Sequence, residues 1–359
     1  MFMFPVQYAD LTEKEINKYL RQIVLTDIGF DGQVKLRNAT ATVVGLGGLG
    51  SLIAMQLTAM GIGTLKIVDM DLVDESNLHR QYLYDTSLIG IPKVEAAAMK
   101  LQKLNPDVNI VTHPTLINEN NVKEIIKESD VVIDGLDRIT PRYVLNRASY
   151  ELNIPYVFGA AIESFGSVST FIPKKTPCLE CIYKSLTDDD LPKCSIVGVH
   201  PSVLGITASI EVSEAIRLII GEEPHLMGKL LYIDLRSFSF DTIRINKNPT
   251  CPVCSLEKAT LATLHTPDIF EECARNGLPV FVIDPKKIMR LGFDVLTQRL
   301  MKIGFSLKNK TALSVVFTIN NTTVTVLQSG VTIIIGKISK EKALEIYETL
   351  NLEEIGDER

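Results

Sequence analysis

Residues 42–51, TVVGLGGLGS, pass from β-branched residues into four glycines spaced Gly45-x-Gly47-x-x-Gly50, with Gly48 between. Between a strand and a helix, such a loop brings backbone N–H groups to a helix start, where phosphate can bind. The next strand, TLKIVD, ends on Asp69, where an acid can take ribose hydroxyls. To this point the residues fit NAD as well as ATP. The segment DMDLVDESNLHRQ then supplies Asn77, Arg80 and Gln81, and GIPK supplies Lys93. Hydride transfer has no need of cations clustered along a phosphate chain. Attack on an α-phosphate does, because charge builds on the phosphoryl oxygens and on departing pyrophosphate. That reaction also calls for a carboxylate to hold Mg²⁺. Asp137 follows the apolar stretch DVVIDGL, at the carboxyl edge of the predicted sheet where ligands bind.

The six cysteines divide into two classes. Cys178-x-x-Cys181 and Cys251-x-x-Cys254 are thiolate pairs, each able to bite one metal ion. Together the four sulfurs make a closed tetrahedral Zn²⁺ site of the structural kind, joining segments that are 70 residues apart (251 − 181). A redox CxxC is the alternative, and two matching pairs favour zinc. Cys194 stands alone in the polar loop TDDDLPKCSIVGV. It is either a small buried hydrophobe or an exposed thiolate, with Lys193 favouring the anion and Asp188, Asp189 and Asp190 opposing it. Cys273 in FEECARNGLP has no neighbouring cysteine partner and reads as structural.

The elements that must position these residues alternate in type. ATATVVGL, TLKIVD, VNIVTH and DVVIDGL are apolar strands, separated by helices over 49–60, KVEAAAMKLQKL and NVKEIIKE. Such alternation predicts an α/β fold, a Rossmann-like, mostly parallel sheet with helices on both faces. After the helix PRYVLNRASYEL, the segments PYVFGAAI and GSVSTFIP read as paired strands. A helix over about 202–220 then ends at Gly221, and KLLYIDLR and FDTIRINK are further strands. The last hundred residues predict a separate small α+β domain. There PVFVID is a strand, KKIMRLGFDVLTQRLMKIG a helix, and LSVVFTIN, TVTVLQ and VTIIIGKI three strands before the helix EKALEIYETL. Asn320-Asn321 suits a tight hairpin turn. The expected division is 1–258 for the α/β domain with its zinc site and 259–359 for the small one, which docks a partner or serves packing.

Composition sets limits. The chain has 359 residues, 46% hydrophobic and 22% charged, with a net charge of −6 that argues against a broad grip on nucleic acid. No apolar run reaches the length of a membrane span. MFMFPVQYADLTEKE lacks a basic n-region and a long apolar stretch, so no signal peptide is read and a cytoplasmic location, with reduced thiols, is expected.

The ordered set LRQIVL, GFDGQ, VVGLGGLGS, VDMDLVDESNLHRQ, GIPKVEAA, LNP and the two CxxC pairs, spanning roughly 11–255, resembles the MoeB/ThiF/HesA adenylating enzymes, relatives of the ubiquitin-activating enzymes. The resemblance implies that ATP is used to adenylate the C-terminal glycine of a ubiquitin-like or sulfur-carrier protein ending in Gly-Gly. It further implies that Gly48, Asp69, Asn77, Arg80 and Lys93 contact ATP, and that Asp137 holds Mg²⁺. By the same likeness Arg21, in LRQ, reaches the phosphates of a neighbouring subunit, which implies a homodimer. In some members a cysteine at the place of Cys194 attacks the acyl adenylate or joins in sulfur transfer, and in others it is dispensable. The chain departs from the family in one place: Asp-Asn is common where Asp137-Arg138 stands. Arg138 then either adds a phosphate contact or points away as a surface charge. The tail carries no cysteine in a phosphate-type loop, unlike the rhodanese domain of some members, so sulfur would come from another protein. Rival readings are a non-catalytic partner of an active homologue, a relative that activates a carboxylate on tRNA, and an NAD oxidoreductase.

Overall fold

The computed structural model describes residues 11–184, 186–190, 197–255, 264, 268–275 and 277–355. Lys193, Cys194 and the expected boundary at 258 lie outside these residues, as does the side chain of Cys273.

The chain enters through α1 (Glu13–Ile23) and α2 (Gly29–Asn38). A capping box starts α1: Glu15 N–H donates to Thr12 Oγ1 at 3.2 Å and Thr12 N–H to Glu15 Oε2 at 2.7 Å, a cap typically contributing about 1 kcal/mol. Then follow β1 (Thr40–Val44), α3 (Gly50–Met60), β2 (Thr64–Val68), α4 (Lys93–Leu104), β3 (Asn109–His113), α5 (Val122–Ile126), β4 (Val131–Asp134) and α6 (Ile139–Leu152). The unit continues with β5 (Tyr156–Ile162), β6 (Phe165–Phe171), the short α7 (Leu179–Ile182), α8 (Pro201–Ile220), β7 (Lys229–Asp234) and β8 (Ser239–Arg244). These strands form one sheet in the order β3-β2-β1-β4-β5-β6-β7-β8, parallel through β5 and antiparallel beyond it.

The central strands β1 (TATVV) and β4 (VVID) are buried at nearly every position, as a parallel sheet covered by helices on both faces requires. Leu57, Val94, Leu101 and Ala208 from α3, α4 and α8 cover one face. Ile125, Val144 and Leu145 from α5 and α6 cover the other. The sheet order reverses between β1 and β4, so their carboxyl ends open a crevice at the switch point.

A second sheet holds β9 (Ile269–Arg275), β10 (Leu278–Ile283), β11 (Ser306–Lys310), β12 (Ser314–Ile319), β13 (Thr322–Leu327) and β14 (Thr332–Ile335), in the antiparallel order β11-β12-β13-β14-β10-β9. Helices α9 (Phe293–Lys302) and α10 (Lys340–Leu350) cover one face through Leu296, Leu300 and Leu350. The opposite face packs Val280, Val282 and Ile333 against Leu72 of the first unit. Asn320 and Asn321 take left-handed φ of 47° and 62° between β12 and β13, as a tight hairpin requires.

This region corrects two expectations. The helix expected over KKIMRLGFDVLTQRLMKIG begins only at Phe293. The strands β9 and β11 were not expected; β11 is exposed at all five positions, so it shows no apolar alternation. Among the described residues no helix is long and apolar enough to cross a membrane.

Candidate functional site

At the switch point the glycine loop lies backbone against backbone on the end of β4. Gly135 N–H donates to the Val44 carbonyl at 2.7 Å, and Gly45 N–H to the Val68 carbonyl at 2.8 Å. Gly45 has φ +86°, and a Cβ there would stand 2.6 Å from the Gly135 carbonyl oxygen. A Cβ at Gly50 would stand 1.7 Å from the Gly45 oxygen. Neither position tolerates an L side chain without shifting backbone. Gly48 packs on α8, where a Cβ would come within 2.6 Å of Leu204 Cδ1.

Asp69 is wired to this loop. Its Oδ2 accepts from Leu46 N–H at 2.6 Å, and its Oδ1 from Asp71 N–H at 2.7 Å. Burial raises the Asp69 carboxyl above its ordinary range, while Lys93 works in the opposite direction. Lys93, 4% exposed at the first position of α4, pairs with Asp71 Oδ2 at 2.7 Å. Tyr84 hydroxyl donates to the Leu46 carbonyl at 3.1 Å. The loop, Asp69 and Lys93 thus form one connected cluster.

Asn77 and Arg80 form a neighbouring unit. A 3-10 turn at Glu75–Asn77 presents Asn77, whose Oδ1 accepts from Arg80 Nη2 at 2.8 Å, while Arg80 Nη1 donates to the Ser76 carbonyl at 3.0 Å. Gln81, 3% exposed, joins this turn to the loop, its Nε2 lying 3.9 Å from where a Gly47 Cβ would be. Asp137 is exposed, three residues beyond the end of β4 and two beyond the Gly135 contact. Arg138 turns to the second sheet, its guanidinium carbon 4.2 Å from the Phe270 ring centre. Arg21 is not brought to this cluster by any polar contact; it is exposed in the last turn of α1 and makes no hydrogen bond or ion pair among the described residues. Asp188 accepts from Ile139 N–H at 2.7 Å at the start of α6, while Cys194, which it was expected to oppose as a thiolate, lies outside the described residues.

Sequence reasoning missed the buried cluster beneath the site. Arg142 Nε donates to Asp134 Oδ2 at 3.0 Å, and its Nη2 to the carbonyls of Leu136 at 2.5 Å and Gly159 at 2.8 Å. Tyr156 hydroxyl also donates to Asp134. Glu211 of α8 is fully buried here, with neither carboxylate oxygen hydrogen-bonded among the described residues. A Cβ on Gly159 would stand 2.1 Å from its Cδ. The readable signal was a charged residue within an apolar strand or helix.

Burial, and then the Asp134 charge, push the Glu211 carboxyl well above its ordinary range. The folded chain therefore keeps a proton that the unfolded chain releases. Its contribution is complete below the unfolded pKa and is lost as pH rises toward the folded one. Glu211→Gln should accordingly gain about 1 kcal/mol or more over the parent on going from pH 5 to pH 8. Thermal unfolding at the two pH values checks this, and an unchanged difference would count against a buried neutral acid.

The four cysteines of the CxxC pairs meet although their segments are distant in sequence. All four Sγ atoms lie within 4.8 Å of one another, with Cys178 to Cys251 at 3.5 Å and Cys181 to Cys254 at 3.3 Å. Sulfurs around one Zn²⁺ at Zn–S near 2.3 Å would be about 3.8 Å apart, so the cluster could hold such an ion. Leu179 N–H donates to Asn146 Oδ1 at 3.1 Å, and Arg147 pairs with Glu180 at 2.8 Å, which fastens α7 and its thiols to α6.

Comparison with known proteins agrees with this geometry. The chain is 40% identical over 255 residues to Adenylyltransferase and sulfurtransferase MOCS3-1 of Drosophila pseudoobscura pseudoobscura, covering 70% of this chain and 56% of that protein. The chain therefore spans only about half the length of that relative. It is 36% identical to the Sulfur carrier protein adenylyltransferase of Thermus thermophilus, covering 68% of this chain and 93% of the relative. Among solved structures, E. coli MccB shares the fold with a TM-score of 0.60 at 23% identity, over 67% of this chain and 75% of MccB. The ThiF family matches residues 19–253, well over half of the chain. The chain belongs to the ThiF family.

Proposed function

We propose that the chain is an ATP-dependent adenylyltransferase that activates the C-terminal glycine of a ubiquitin-like or sulfur-carrier protein. The observation that carries this reading is the convergence at the switch point. Leu46 N–H binds Asp69, the Asp69 environment feels Lys93, and Gly135 seats the loop two residues before Asp137. The names of the relatives, an adenylyltransferase and sulfurtransferase and a sulfur carrier protein adenylyltransferase, support it.

In the reaction the glycine carboxylate oxygen attacks the α-phosphorus in line. A new O–P bond forms as the bond to the bridging oxygen breaks, and pyrophosphate departs with that electron pair. Asp69 takes the ribose, and the loop N–H groups and Gly48 border the phosphates. Asn77 orients Arg80, which with Lys93 meets the growing negative charge, at the cost of sharing Lys93 with Asp71. An exposed carboxylate at a sheet edge suits Mg²⁺, which takes one or two carboxylates beside substrate phosphates, so Asp137 would hold it. When bound, Mg²⁺ supplies charge neutralisation. A second copy of the chain would bring Arg21 to the phosphates. The exposed Leu20, Val24, Leu25 and Phe30 around Arg21 are suited to such a homodimer.

The acyl adenylate would pass to a thiol or sulfur donor, with Cys194 as a candidate thiolate. Zn²⁺ on the four clustered cysteines would serve stability. The division at 258 and the cytoplasm as compartment belong to the same reading.

Calorimetric titration tests the nucleotide directly. Mg-ATP is expected to bind, with no comparable binding of NAD; the reverse preference would sink the assignment.

A further inference from the structure

Two backbone segments meet just before α4. Leu72 pairs with Pro92 across an isolated bridge, Val73 N–H donates to the Ile91 carbonyl at 2.8 Å, and Lys93 N–H to the Asp71 carbonyl at 2.8 Å. This short pairing carries the Lys93–Asp71 ion pair, and the α+β unit grips it at two points. Leu72 is buried against Val280, Val282, Leu327, Val331 and Ile333 of the second sheet. The turn between β11 and β12 closes on the carboxylate of Glu95, in the first turn of α4. Thr311 hydroxyl donates to Glu95 Oε2 at 2.6 Å and Leu313 N–H to the same oxygen at 3.3 Å, while Ala312 N–H donates to Oε1 at 3.4 Å. The turn orders itself for this contact: Thr311 N–H donates to the Ser314 carbonyl at 2.8 Å, and Ser314 N–H to Thr311 Oγ1 at 3.0 Å.

The start of α4 cannot be capped by its own residues. Its N-cap is Pro92, which has no side-chain acceptor for the helix and no N–H for Glu95 to cap in return. The first turn therefore owes its support to tertiary contacts, and three of them come from one turn of the α+β unit. We propose that Thr311 is a positioning residue of the nucleotide site: through the Glu95 carboxylate its turn fixes the first turn of α4, and with it the Lys93 ammonium that meets the phosphates. The α+β unit is thereby a working part of the nucleotide site. This rests on the adenylation reading and on Lys93 as a phosphate cation.

Two measurements on the full chain test it, neither of them a turnover assay. Hydrogen exchange of the nucleotide-free protein reads the contact itself, at Ala97 and at Ala96, whose N–H closes the first turn on the Pro92 carbonyl at 2.9 Å. Thr311→Val, which keeps the shape and removes the donor, should speed exchange at both amides about three- to tenfold, and Thr311→Ser should match the parent. Calorimetric titration reads the consequence. Thr311→Val should raise the Kd for Mg-ATP about three- to tenfold, with Thr311→Ser again at the parent value. In a Lys93→Met background, itself weakened for ATP, Thr311→Val should add less than about twofold, because the contact acts through Lys93. A merely structural turn would weaken ATP equally in both backgrounds. Glu95→Ala removes the same contact from the other side and serves, with the same expected results, should Thr311→Val fail to fold. The proposal is overturned by unchanged exchange at Ala96 and Ala97, by an unchanged Kd, by an equal loss in the Lys93→Met background, or by a Lys93→Met protein that binds ATP as the parent does. A parent that does not bind ATP overturns the adenylation reading and this proposal together, whereas a parent that binds it beside an indifferent Thr311→Val overturns the proposal alone.

Discussion

Cys251→Ala is expected to lose bound metal and to lower the melting temperature by about 10 °C or more. Cys251 is fully buried, with its sulfur 3.5 Å from that of Cys178. Removing it leaves three sulfurs around an ion that needs four, and metal-ligand free energy at a closed site is folding free energy. The segment that follows β8 would come loose from α7, exposing the wall that Tyr150 and Val253 build around the sulfurs. Metal analysis of the purified variant, with calorimetric unfolding, measures both effects. Cys194→Ala, outside the cluster of four, should keep metal and stability. A Cys251→Ala protein with full metal content and the parent's melting temperature would show that the cluster is not a structural metal site.

Asp137→Ala should reduce pyrophosphate exchange by about a hundred- to a thousandfold, the range seen when one group that stabilises developing charge is removed. The side chain is exposed and its turn is fastened by Arg142 and Asp188 from either side, so melting should change little. Loss of exchange with an intact fold would locate the defect in chemistry. Near-normal exchange would mean that the metal is held by another residue.

What the sequence disclosed follows from where its signals are local. Gly45 and Gly50 are forced by backbone contacts that only glycine allows, and the strand before them is β-branched, so the loop could be read directly. The CxxC pairs carried their own spacing. The inner parallel strands were legible because burial on both faces favours β-branched and apolar residues, as in β1 and β4. Legibility failed where the cause is tertiary. Strand β11 is exposed at every position and exists because β12 offers it an edge. Lys286 to Gly292 lie between β10 and α9 without helix, although they precede a helical pattern without a break. The Asp134–Arg142 pair and Glu211 come from a strand and two different helices, and no spacing in the sequence links them. Lys93 was read as a phosphate cation, but its partner Asp71 is set by the fold. Arg138 was open between phosphate and solvent, and the structure gives it a ring from the other sheet.

The most direct measurement of the central claim is incorporation of labelled pyrophosphate into ATP, with small proteins ending in Gly-Gly as acyl substrates. The account predicts exchange that requires Mg²⁺ and a carrier, and that disappears when the carrier's terminal glycine is removed. A protein that binds such a carrier together with Mg-ATP, yet forms no labelled ATP, would contradict it.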